Sequence, residues 1–371
     1  MSKDNFRHIS ILQMTLPNYR IDFFNQLNEI SLKEGVNFCV WIPKKVQLEN
    51  TSVHFDVNRF ACIKFTLRNR VRFVYLLPFK FFRKKYFILE FSLKTFFLTL
   101  ILAICKKPFL LWGHGNTDTF KRSDFAKLLL NIPIWLSKGF LAYTHQCTDD
   151  LKIRFPWLTT IVLNNSTDTR KIQKIRQSIT IEKFRSSSVG QHTSSGNYFL
   201  VLGQLVPQKD FKFLAHSLAI LRRKFPDIGL KFIGRGSVNI KNFDFVNYEL
   251  MGELTDDSLV QISMDAKGIL NPGRVGLVAT DSFALKLPII TTARLGHGPE
   301  FSYLIDGKNA IITENNPYHY ANAIVDYLSN PILIDKLKNG CAESANRYSI
   351  EDMSSKYLSG MRFLLNEKVF Q

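Results

Sequence analysis

The chain has 371 residues, of which 46% are hydrophobic and 22% charged, and its formal net charge is +18. This composition excludes a disordered chain, and the length exceeds what one core usually organises, so two domains are expected. The five cysteines show no CxxC or CxxH spacing, which argues against a zinc site or a disulfide framework and favours a reducing compartment. The positive charge either serves solubility or favours an anionic partner, such as phosphates, an anionic membrane face or nucleic acid.

In the first half, short apolar runs alternate with helical runs. We predict strands at 8–12, 37–41 and 109–112, a polar loop at 15–20 followed by a helix over 21–31, and a helix near 90–105. Glu90 and Lys94 leave too short an uncharged run in 86–105 for a bilayer, so we expect a mostly buried helix there. The first twenty residues contain no long apolar run, so no secretory signal is expected.

A change of texture at 185–197, which is rich in Ser, Gly and Thr, predicts a linker. The alternation then restarts, with strands at 198–202 and 230–233, a helix over 211–225 and a last helix over 350–367. Strands that alternate with helices are typical of a parallel sheet with helices on its faces. The sequence therefore predicts an α/β fold in two halves.

The segment 59–87 has one-sided charge, because its basic residues occur with no acid among them. Nine aromatic residues are interleaved with nine basic ones, which are Arg59, Lys64, Arg68, Arg70, Arg72, Lys80, Arg83, Lys84 and Lys85. Such a segment suits anionic lipid head groups, with rings that insert, or single-stranded nucleic acid. It is also compatible with a solvated face above core aromatics.

Three loops with glycine follow strands in the second half: 203–209, 234–237 and 272–278. In a doubly wound sheet such loops converge at the carboxyl edge, where ligands bind. Glycine permits close approach of the backbone to a ligand, and the helix after Gly276 would direct N–H groups at an anion. Lys209 adds a mobile positive charge for a pyrophosphate.

The sequences of these loops resemble those of the donor domain of family 4 glycosyltransferases. GQLVPQK at 203–209 resembles the family's G-R-L-x-x-x-K opening, FIGRG at 232–236 its apolar-G-x-G turn, and MG at 251–252 its F-L-G. NPGRVGLVATD at 271–281 resembles its signature E-G-F-G-L-x-x-x-E. LPNYRIDFF at 16–24, LWGHG at 111–115, AYT at 142–144 and LNNSTD at 163–168 are similar to acceptor-domain markers of one branch.

The resemblance implies a GT-B fold, with two Rossmann-like doubly wound domains that face each other across a cleft. The implied domains are an acceptor domain at 1–184, a linker at 185–197, a donor domain at 198–348 and a helix at 349–371 that returns to the first domain. The implied reaction is transfer of a sugar from a nucleotide-sugar donor with retention of configuration, without a metal or other cofactor. The expected donor-binding residues are Gly203, Gln204, Lys209, Gly234, Gly236, Gly252, Glu253, Arg274, Gly276, Leu277, Val278 and Asp281.

The signature departs from the family at both glutamates. The first, which contacts the donor sugar, falls on Gly273, and the second, which holds the ribose hydroxyls, falls on Asp281. The family's loop arginine falls on Gln204, which leaves Lys209 as the clearer phosphate cation. Arg274 could take over a contact with the sugar or a phosphate.

The resemblance places His114 beside the transferred sugar, so we assign it the catalytic role. Asn18, Tyr19 and Arg20 lie in the predicted first loop and are the candidate acceptor-binding residues, with Arg20 on an acceptor phosphate. A turn with a packed tyrosine explains that loop equally well. Glu300 could hold a sugar hydroxyl or cap the short helix that it begins, and we favour the cap.

The predicted function is a retaining glycosyltransferase that acts on a lipid-linked or cell-surface glycan, in the cytoplasm and peripheral to the inner membrane face. Its expected partners are a nucleotide-sugar donor, a glycan acceptor and an anionic membrane surface. One alternative is a basic protein that binds nucleic acid or membrane, but a nucleic-acid partner would leave the three donor loops without a role. Another is an inactive relative that only binds a nucleotide sugar.

Overall fold

The computed structural model describes residues 7–48, 52–67, 70–115, 124–186 and 196–366. The chain forms two compact units. The first comprises Met1–Thr167 and Ile350–Gln371, and the second comprises Asp168–Ser349. Each unit has its own sheet and its own hydrophobic core, so we describe the two units separately.

The sheet of the first unit has eight strands in the order β4-β3-β2-β1-β5-β6-β7-β8. Its strands are β1 (Arg7–Leu12), β2 (Val36–Pro43), β3 (Asp56–Leu67), β4 (Arg70–Leu76), β5 (Tyr86–Glu90), β6 (Phe109–Gly113), β7 (Gly139–Ala142) and β8 (Thr160–Val162). All neighbouring pairs are parallel except the β3–β4 hairpin at one edge. Parallel strands are covered on both faces, which is why β2 and β6 are almost wholly buried.

Helices cover both faces of this sheet. They are α1 (Asn18–Lys33), the single turn α2 (Phe79–Phe82), α3 (Phe96–Ile104), α4 (Asp124–Leu136) and α5 (His145–Arg154). Buried side chains of α1, such as Phe24, belong to one core cluster, whereas Leu102 of α3 and Leu151 of α5 belong to the other. The first unit is therefore doubly wound, as predicted.

Two expectations for the first unit were wrong. The helix α1 begins at Asn18, directly after Pro17, so 18–20 form its first turn and not a loop. The apolar run 86–105 is not one buried helix, because its first part is the strand β5 and only 96–104 are α-helical. A short apolar run fits a buried strand and a helix equally well, so its periodicity could not separate the two.

The second unit has a parallel sheet of six strands in the order β11-β10-β9-β12-β13-β14. Its strands are β9 (Tyr198–Leu202), β10 (Gly229–Ile233), β11 (Asn247–Gly252), β12 (Ile269–Leu270), β13 (Ile289–Thr292) and β14 (Ala310–Thr313). Its helices are α6 (Thr169–Ser186), α7 (Phe211–Leu221), α8 (Asp256–Ser263), α9 (Val278–Ala284), α10 (Pro317–Leu328) and α11 (Pro331–Arg347). Core clusters lie on both faces, so this unit is also doubly wound.

The boundary between the units corrects the predicted domain limits. Helix α6 belongs to the second unit, because Ile172 is buried in its core and Thr169 Oγ1 donates to Ala345 O at 3.5 Å. An ion pair of 2.6 Å between Lys171 and Asp256 links α6 to α8. The first domain therefore ends at Thr167 and not at 184. Of the predicted linker at 185–197, residues 187–195 lie outside the described residues.

The last helix, α12 (Ile350–Leu364), belongs to the first unit. Asn164 Nδ2 donates to the Asp352 carboxylate at 2.9 Å, and Lys138 Nζ donates to Phe363 O at 2.9 Å, near the end of the helix. Gly360 permits close packing on the sheet, because a Cβ there would lie 2.5 Å from Leu141 Cδ2. A chain that continues through the second unit thus completes the first core with its C-terminal helix.

Candidate donor-binding site

Three loops meet at the carboxyl edge of the second sheet. They follow β9, β10 and β12, which are neighbours in the sheet and parallel to one another. The loops carry Gly203 to Lys209, Gly234 to Gly236 and Asn271 to Val278. The predicted convergence of the three glycine loops is therefore confirmed.

The glycines of the second loop serve contacts between loops. A Cβ at Gly234 would lie 2.1 Å from Gly203 O, and one at Gly236 would lie 2.2 Å from Leu205 O. Both residues have positive φ, and Leu205 N donates to Arg235 O at 2.6 Å. Close approach of the first loop thus explains these glycines, and the expected close approach of a ligand stays a prediction. The result is a rigid edge of interlocked backbone.

Lys209 is the central cation of this edge, and it is fixed where we expected a mobile side chain. Its side chain is buried, and Nζ donates to Leu202 O at 2.9 Å. Burial lowers the pKa of Lys209 to about 8, although the negative charge of Asp281 acts in the opposite direction. A largely desolvated ammonium that donates to one carbonyl is suited to bind an anion that can accept its other hydrogen bonds.

The loop after β13 contributes a histidine that the sequence reasoning missed. Val275 N donates to His297 Nδ1 at 3.0 Å, so the ring proton resides on Nε2, which donates to Thr292 O at 2.9 Å. The ring stacks on Phe301 with centroids 3.9 Å apart. Burial, with a smaller effect of the charges of Arg294 and Arg274, lowers the pKa of His297 to about 4, although the hydrogen bond to Thr292 O acts in the opposite direction. The neutral ring therefore fastens the signature loop to the end of β13.

A buried carboxylate lies beside the same loop. Glu300 is 4% exposed, and its Oε2 would lie 3.7 Å from a Cβ at Gly276 and 3.2 Å from one at Gly298. Its place is the first turn of the short 3-10 helix Pro299–Tyr303, which makes no side-chain cap hydrogen bond at its N-cap. The carboxylate thus lies in the first turn of this helix and close to the signature loop, and the cap that we favoured for Glu300 stays a prediction.

Further charges surround the edge in pairs. Asp210, at positive φ, caps α7 and forms an ion pair of 2.6 Å with Arg294. Arg235 pairs with Glu253, and both side chains are more than half exposed. Gln204 is exposed at the tip of the first loop. Within the described residues, no group of three His, Cys, Asp or Glu side chains is placed to hold a metal ion.

Residues 196–330, which include the three loops of this edge, match the family of glycosyl transferases group 1. The second unit carries a glycosyltransferase domain of this group. A search of curated proteins gives no match for the chain.

Solved structures extend the likeness to the whole chain at the level of the fold. A glycosyltransferase from Rickettsia africae matches with a TM-score of 0.71 and 13% identity, over 98% of this chain and 100% of that one. A sucrose-phosphate synthase from Thermosynechococcus elongatus matches with a TM-score of 0.68 and 13% identity, over 97% and 99%. Anabaena HepE in complex with UDP matches with a TM-score of 0.67 and 11% identity, over 96% and 100%. The chain has the GT-B fold.

The backbone explains why no glutamate stands at 273, the position that the resemblance aligns with the first signature glutamate. A Cβ at Gly273 would lie 2.3 Å from Gln208 O and 2.3 Å from Lys209 C, so no side chain fits there. Arg274 N donates to Gln208 O at 2.8 Å, which holds the two loops together at this point. A glutamate at 273 is therefore incompatible with this backbone.

The second departure keeps a carboxylate in the glycosyltransferase domain. Asp281 lies in the first turn of α9 and is half-buried, whereas Thr280 and Ser282 on either side are fully buried. Its charge acts on Lys209, which places the two candidate residues in one electrostatic site. Gly276, Leu277 and Val278 lie directly before and at the start of the same helix.

Two candidate residues of the first unit differ sharply in setting. His114 is half-buried in the loop after β6, between Gly113 and Gly115, which have φ of 156° and 65°. Arg20 is 4% exposed, and its guanidinium lies 4.7 Å from the ring centroid of Trp112. The side chain thus packs among aromatic rings of the first core, and the predicted role of Arg20 on an acceptor phosphate stays a prediction.

Asn18 and Tyr19 begin α1, at the carboxyl end of β1. Asn18 is exposed and Tyr19 half-buried. Tyr19 also lies against the Arg20 guanidinium, whose centre is 5.1 Å from the tyrosine ring centroid. Both remain candidates for the acceptor on the strength of this position.

The basic segment 59–87 is only partly a surface. Phe60, Phe81 and Phe87 are at most 1% exposed, whereas Phe79 is 79% exposed. Lys80 Nζ lies 5.3 Å from the ring centroid of Trp41, which is buried. Three aromatics of this segment are therefore core residues, and the half-buried Tyr75, Phe82 and Tyr86 pack against the cores. The expectation that the rings insert into lipid was wrong for the three buried ones.

Proposed function

We propose that the protein transfers a sugar from a nucleotide-sugar donor to a lipid-linked or cell-surface glycan, with retention of configuration. The observation that carries the proposal is the coincidence of the glycosyltransferase domain with the edge that holds Lys209 and Asp281. Anabaena HepE, which has the same fold, was solved in complex with UDP, and this likeness supports a nucleotide as the ligand class.

The donor would bind along the three loops of the second unit. Its diphosphate would meet Lys209, Arg274 and the backbone of Gly276 to Val278, and its ribose would meet Asp281. Gly203, Gln204, Gly234 and Gly236 would shape the floor, and Gly252 with Glu253 would lie under the base. In the transfer, the bond between the anomeric carbon and the diphosphate breaks, and a hydroxyl oxygen of the acceptor takes its place. The hydroxyl proton leaves with the products.

The departing diphosphate gains negative charge, and preorganised cations stabilise such charge best in a site with little water. Lys209 is suited to this task because it is buried and because its ammonium keeps one fixed partner, Leu202 O. In this proposal the basic side chains replace a metal ion. His114 would serve the transfer step, and Asn18 and Tyr19 would contact the acceptor.

We place the reaction at the cytoplasmic face of the membrane, with the protein bound peripherally. No helix in the described ranges is long and apolar enough to cross a membrane. The net charge of +18 supports attraction to anionic lipid. A lipid-linked acceptor would then be reached at the surface where it resides.

The test is release of nucleoside diphosphate from a panel of nucleotide sugars, with and without a lipid extract of membranes. The proposal predicts that one donor is consumed and that the extract accelerates its consumption at least tenfold. Slow hydrolysis that no acceptor accelerates would instead identify an inactive nucleotide-sugar-binding relative. Absence of both binding and hydrolysis across the panel would contradict the proposal.

A further inference from the structure

One face of the first sheet is covered by α3, α4 and α5, and α3 and α4 are apolar on both sides. Their inner sides bury Leu98 and Leu102 of α3, Ile134 of α4 and Leu151 of α5 in one core cluster. Large apolar side chains are also exposed on the same helices and on the turn after α5. These are Phe97 (75%), Ile101 (43%), Ile104 (81%), Leu128 (61%), Ile132 (37%), Trp135 (66%), Ile153 (80%) and Trp157 (64%).

The exposed side chains form ordered stripes. Residues 97, 101 and 104 of α3 have the spacing i, i+4, i+7, and so do residues 128, 132 and 135 of α4. Each stripe lies opposite the side of its helix that packs on the sheet. A helix that is apolar all round is normally buried, so the outward stripes of α3 and α4 call for a partner.

The two helices that carry the stripes adjoin each other. Helices α3 and α4 contact one another, and Arg154 Nη1 of α5 donates to Asn131 Oδ1 of α4 at 3.3 Å. Helices α3 and α4 also run in the same direction, because each returns the chain from the end of one parallel strand to the start of the next. We call these eight exposed residues the outer apolar surface. It exceeds the scattered exposure that is normal for a soluble protein.

The tryptophans and the charges indicate what covers this surface. The chain has four tryptophans, of which Trp41 and Trp112 are 1% exposed, and the two exposed ones both lie here. Indole rings favour the boundary between head groups and acyl chains. From Phe91 to Gly115, and again from residue 125 to 148, the sequence contains no acid. Exposed Lys94 and Lys106 stand at the two ends of α3, and Asp149 on α5 is the exposed exception nearby.

A second copy of the chain fits this surface less well than a membrane does. Pairing two copies through α3 and α4 would bring the lysines of one copy towards those of the other, and like charges in apposition oppose association. An anionic bilayer receives both kinds of side chain, because the apolar stripes enter the interface and the lysines remain at the phosphates.

We propose that the outer apolar surface docks the protein on an anionic phospholipid membrane, with Phe97, Ile104 and Trp135 inserted into the interface. This surface supplies the membrane partner of the proposed function, and vesicle binding tests it without any transfer measurement. The basic segment 59–87 contributes long-range attraction, since Arg83 and Lys85 are exposed, but most of its described aromatics are buried in the cores or packed against them.

The first experiment is co-sedimentation with vesicles of phosphatidylcholine that contain increasing phosphatidylglycerol. We expect the parent to bind, and the variant Phe97→Gln/Ile104→Gln/Trp135→Gln to lose at least tenfold in partitioning at every salt concentration. The matched control is Ile181→Gln/Ile332→Gln in the second unit, whose isoleucines are 53% and 82% exposed, and it should bind like the parent. Arg83→Gln/Lys84→Gln/Lys85→Gln should lose binding at low salt only, because salt screens the charge term.

The second experiment separates insertion from loss of folding. With bromine-labelled acyl chains, vesicle binding should quench the emission of Trp135 and Trp157, whereas Trp157→Phe in the Trp135→Phe background should remove the quenching. Thermal unfolding and nucleotide affinity should match the parent in every variant, since all substituted side chains are exposed or half-exposed. A fault in the proposed function would instead appear as missing nucleotide binding in a protein that still sediments with vesicles.

Two results would overturn the docking surface. One is equal sedimentation of the parent and the apolar triple variant at every lipid composition. The other is a parent dimer in analytical ultracentrifugation that the triple variant abolishes while vesicle binding stays unchanged, which would make the surface an interface between copies.

Discussion

The two units present opposite kinds of surface, and the difference follows their proposed substrates. The loop edge of the second unit is fixed by backbone contacts and by buried polar groups such as Lys209, His297 and Glu300. The helices α3 to α5 of the first unit expose several large apolar side chains, and α3 contains no acidic residue. A small charged ligand needs few, preorganised polar contacts, whereas a membrane needs area and direction but no fixed partner atom.

The largest expected effect is that of a substitution at Gly273, because the loop edge of the second unit depends on close backbone contacts there. Because a Cβ there would lie 2.3 Å from Gln208 O, Gly273→Glu should not restore the family's sugar contact. We expect a loss of about 3 kcal/mol or more in the free energy of unfolding, measured with urea, together with lost nucleotide binding. The matched control for stability is Gly276→Ala, whose Cβ would make only an ordinary contact of 3.7 Å with Glu300. Stability equal to the parent in Gly273→Glu would show that the loops are free to separate.

Lys209 should make both stability and donor affinity depend on pH. Its pKa falls from 10.5 to about 8 on folding, so between these values the unfolded chain binds more protons and stability rises with pH. Below pH 8 the buried charge costs about 3 kcal/mol, and a bound diphosphate should recover part of it. Donor affinity should therefore fall as the pH rises through 8, with proton uptake seen by calorimetry in buffers of different ionisation enthalpy.

Lys209→Met removes the titrating ammonium and therefore isolates its contribution to stability and to donor affinity. The variant should lose the proton uptake and the rise in stability between pH 8 and 10.5, and its diphosphate affinity and transfer rate should fall together. The control is Lys212→Met on α7, for which nothing in the account predicts a change. Unaltered diphosphate affinity in Lys209→Met would remove Lys209 from the phosphate site.

His114 belongs to the first unit, so its substitution should affect turnover and leave nucleotide binding by the second unit unchanged. His114→Ala should lower turnover by about 10²-fold while nucleotide affinity stays near that of the parent, since a group that acts on developing charge contributes chiefly in the transition state. Steady-state kinetics and a nucleotide titration measure the two quantities separately. His54→Ala, at an exposed position of the same unit, serves as control. A parallel loss of affinity and turnover would place His114 with the donor.

The smallest expected effect concerns Asp281. Asp281→Ala should weaken nucleoside diphosphate binding by about 1.5–3 kcal/mol, which corresponds to hydrogen bonds from hydroxyls to a carboxylate. The parent should also prefer a ribonucleotide over its 2′,3′-dideoxy analogue, and the variant should not. Asp257→Ala, an exposed aspartate on α8, should keep the preference. If Asp281→Ala still distinguishes the two sugars, another group holds the ribose.

The sequence predicted the parts of this account that depend on local pattern. The strands β9 and β10 are apolar runs that end at glycine, and parallel order alone brings their loops to one edge. It could not predict the contact of His297 with Val275 or the exclusion of a side chain at Gly273, because both depend on loops that meet only in the fold. The same holds for α6, whose polar sequence hid the isoleucines that bury it in the second unit.

The apolar run at 86–105 shows a further limit. Hydropathy identified it correctly as too short to cross a bilayer, but it did not reveal that Phe97 and Ile104 face solvent. Exposure is a property of the helix face, and the face is known only once Leu98 and Leu102 are seen in the core. Composition therefore indicated the basic segment as the membrane-binding surface, whereas the structure indicates the exposed faces of α3 and α4.

The central claim is that the loop edge of the second unit holds the nucleotide, and photoaffinity labelling tests it most directly. The nucleotide sugar with the largest thermal stabilisation would be converted to an azido derivative of its base, cross-linked, and its labelled peptides mapped with and without excess unmodified donor. The account predicts protectable labels on the loops after β10, β11 and β12, at 234–237, 252–255 and 271–281. Labels that excess donor suppresses only in the basic segment 59–87, or elsewhere in the first unit, would contradict it.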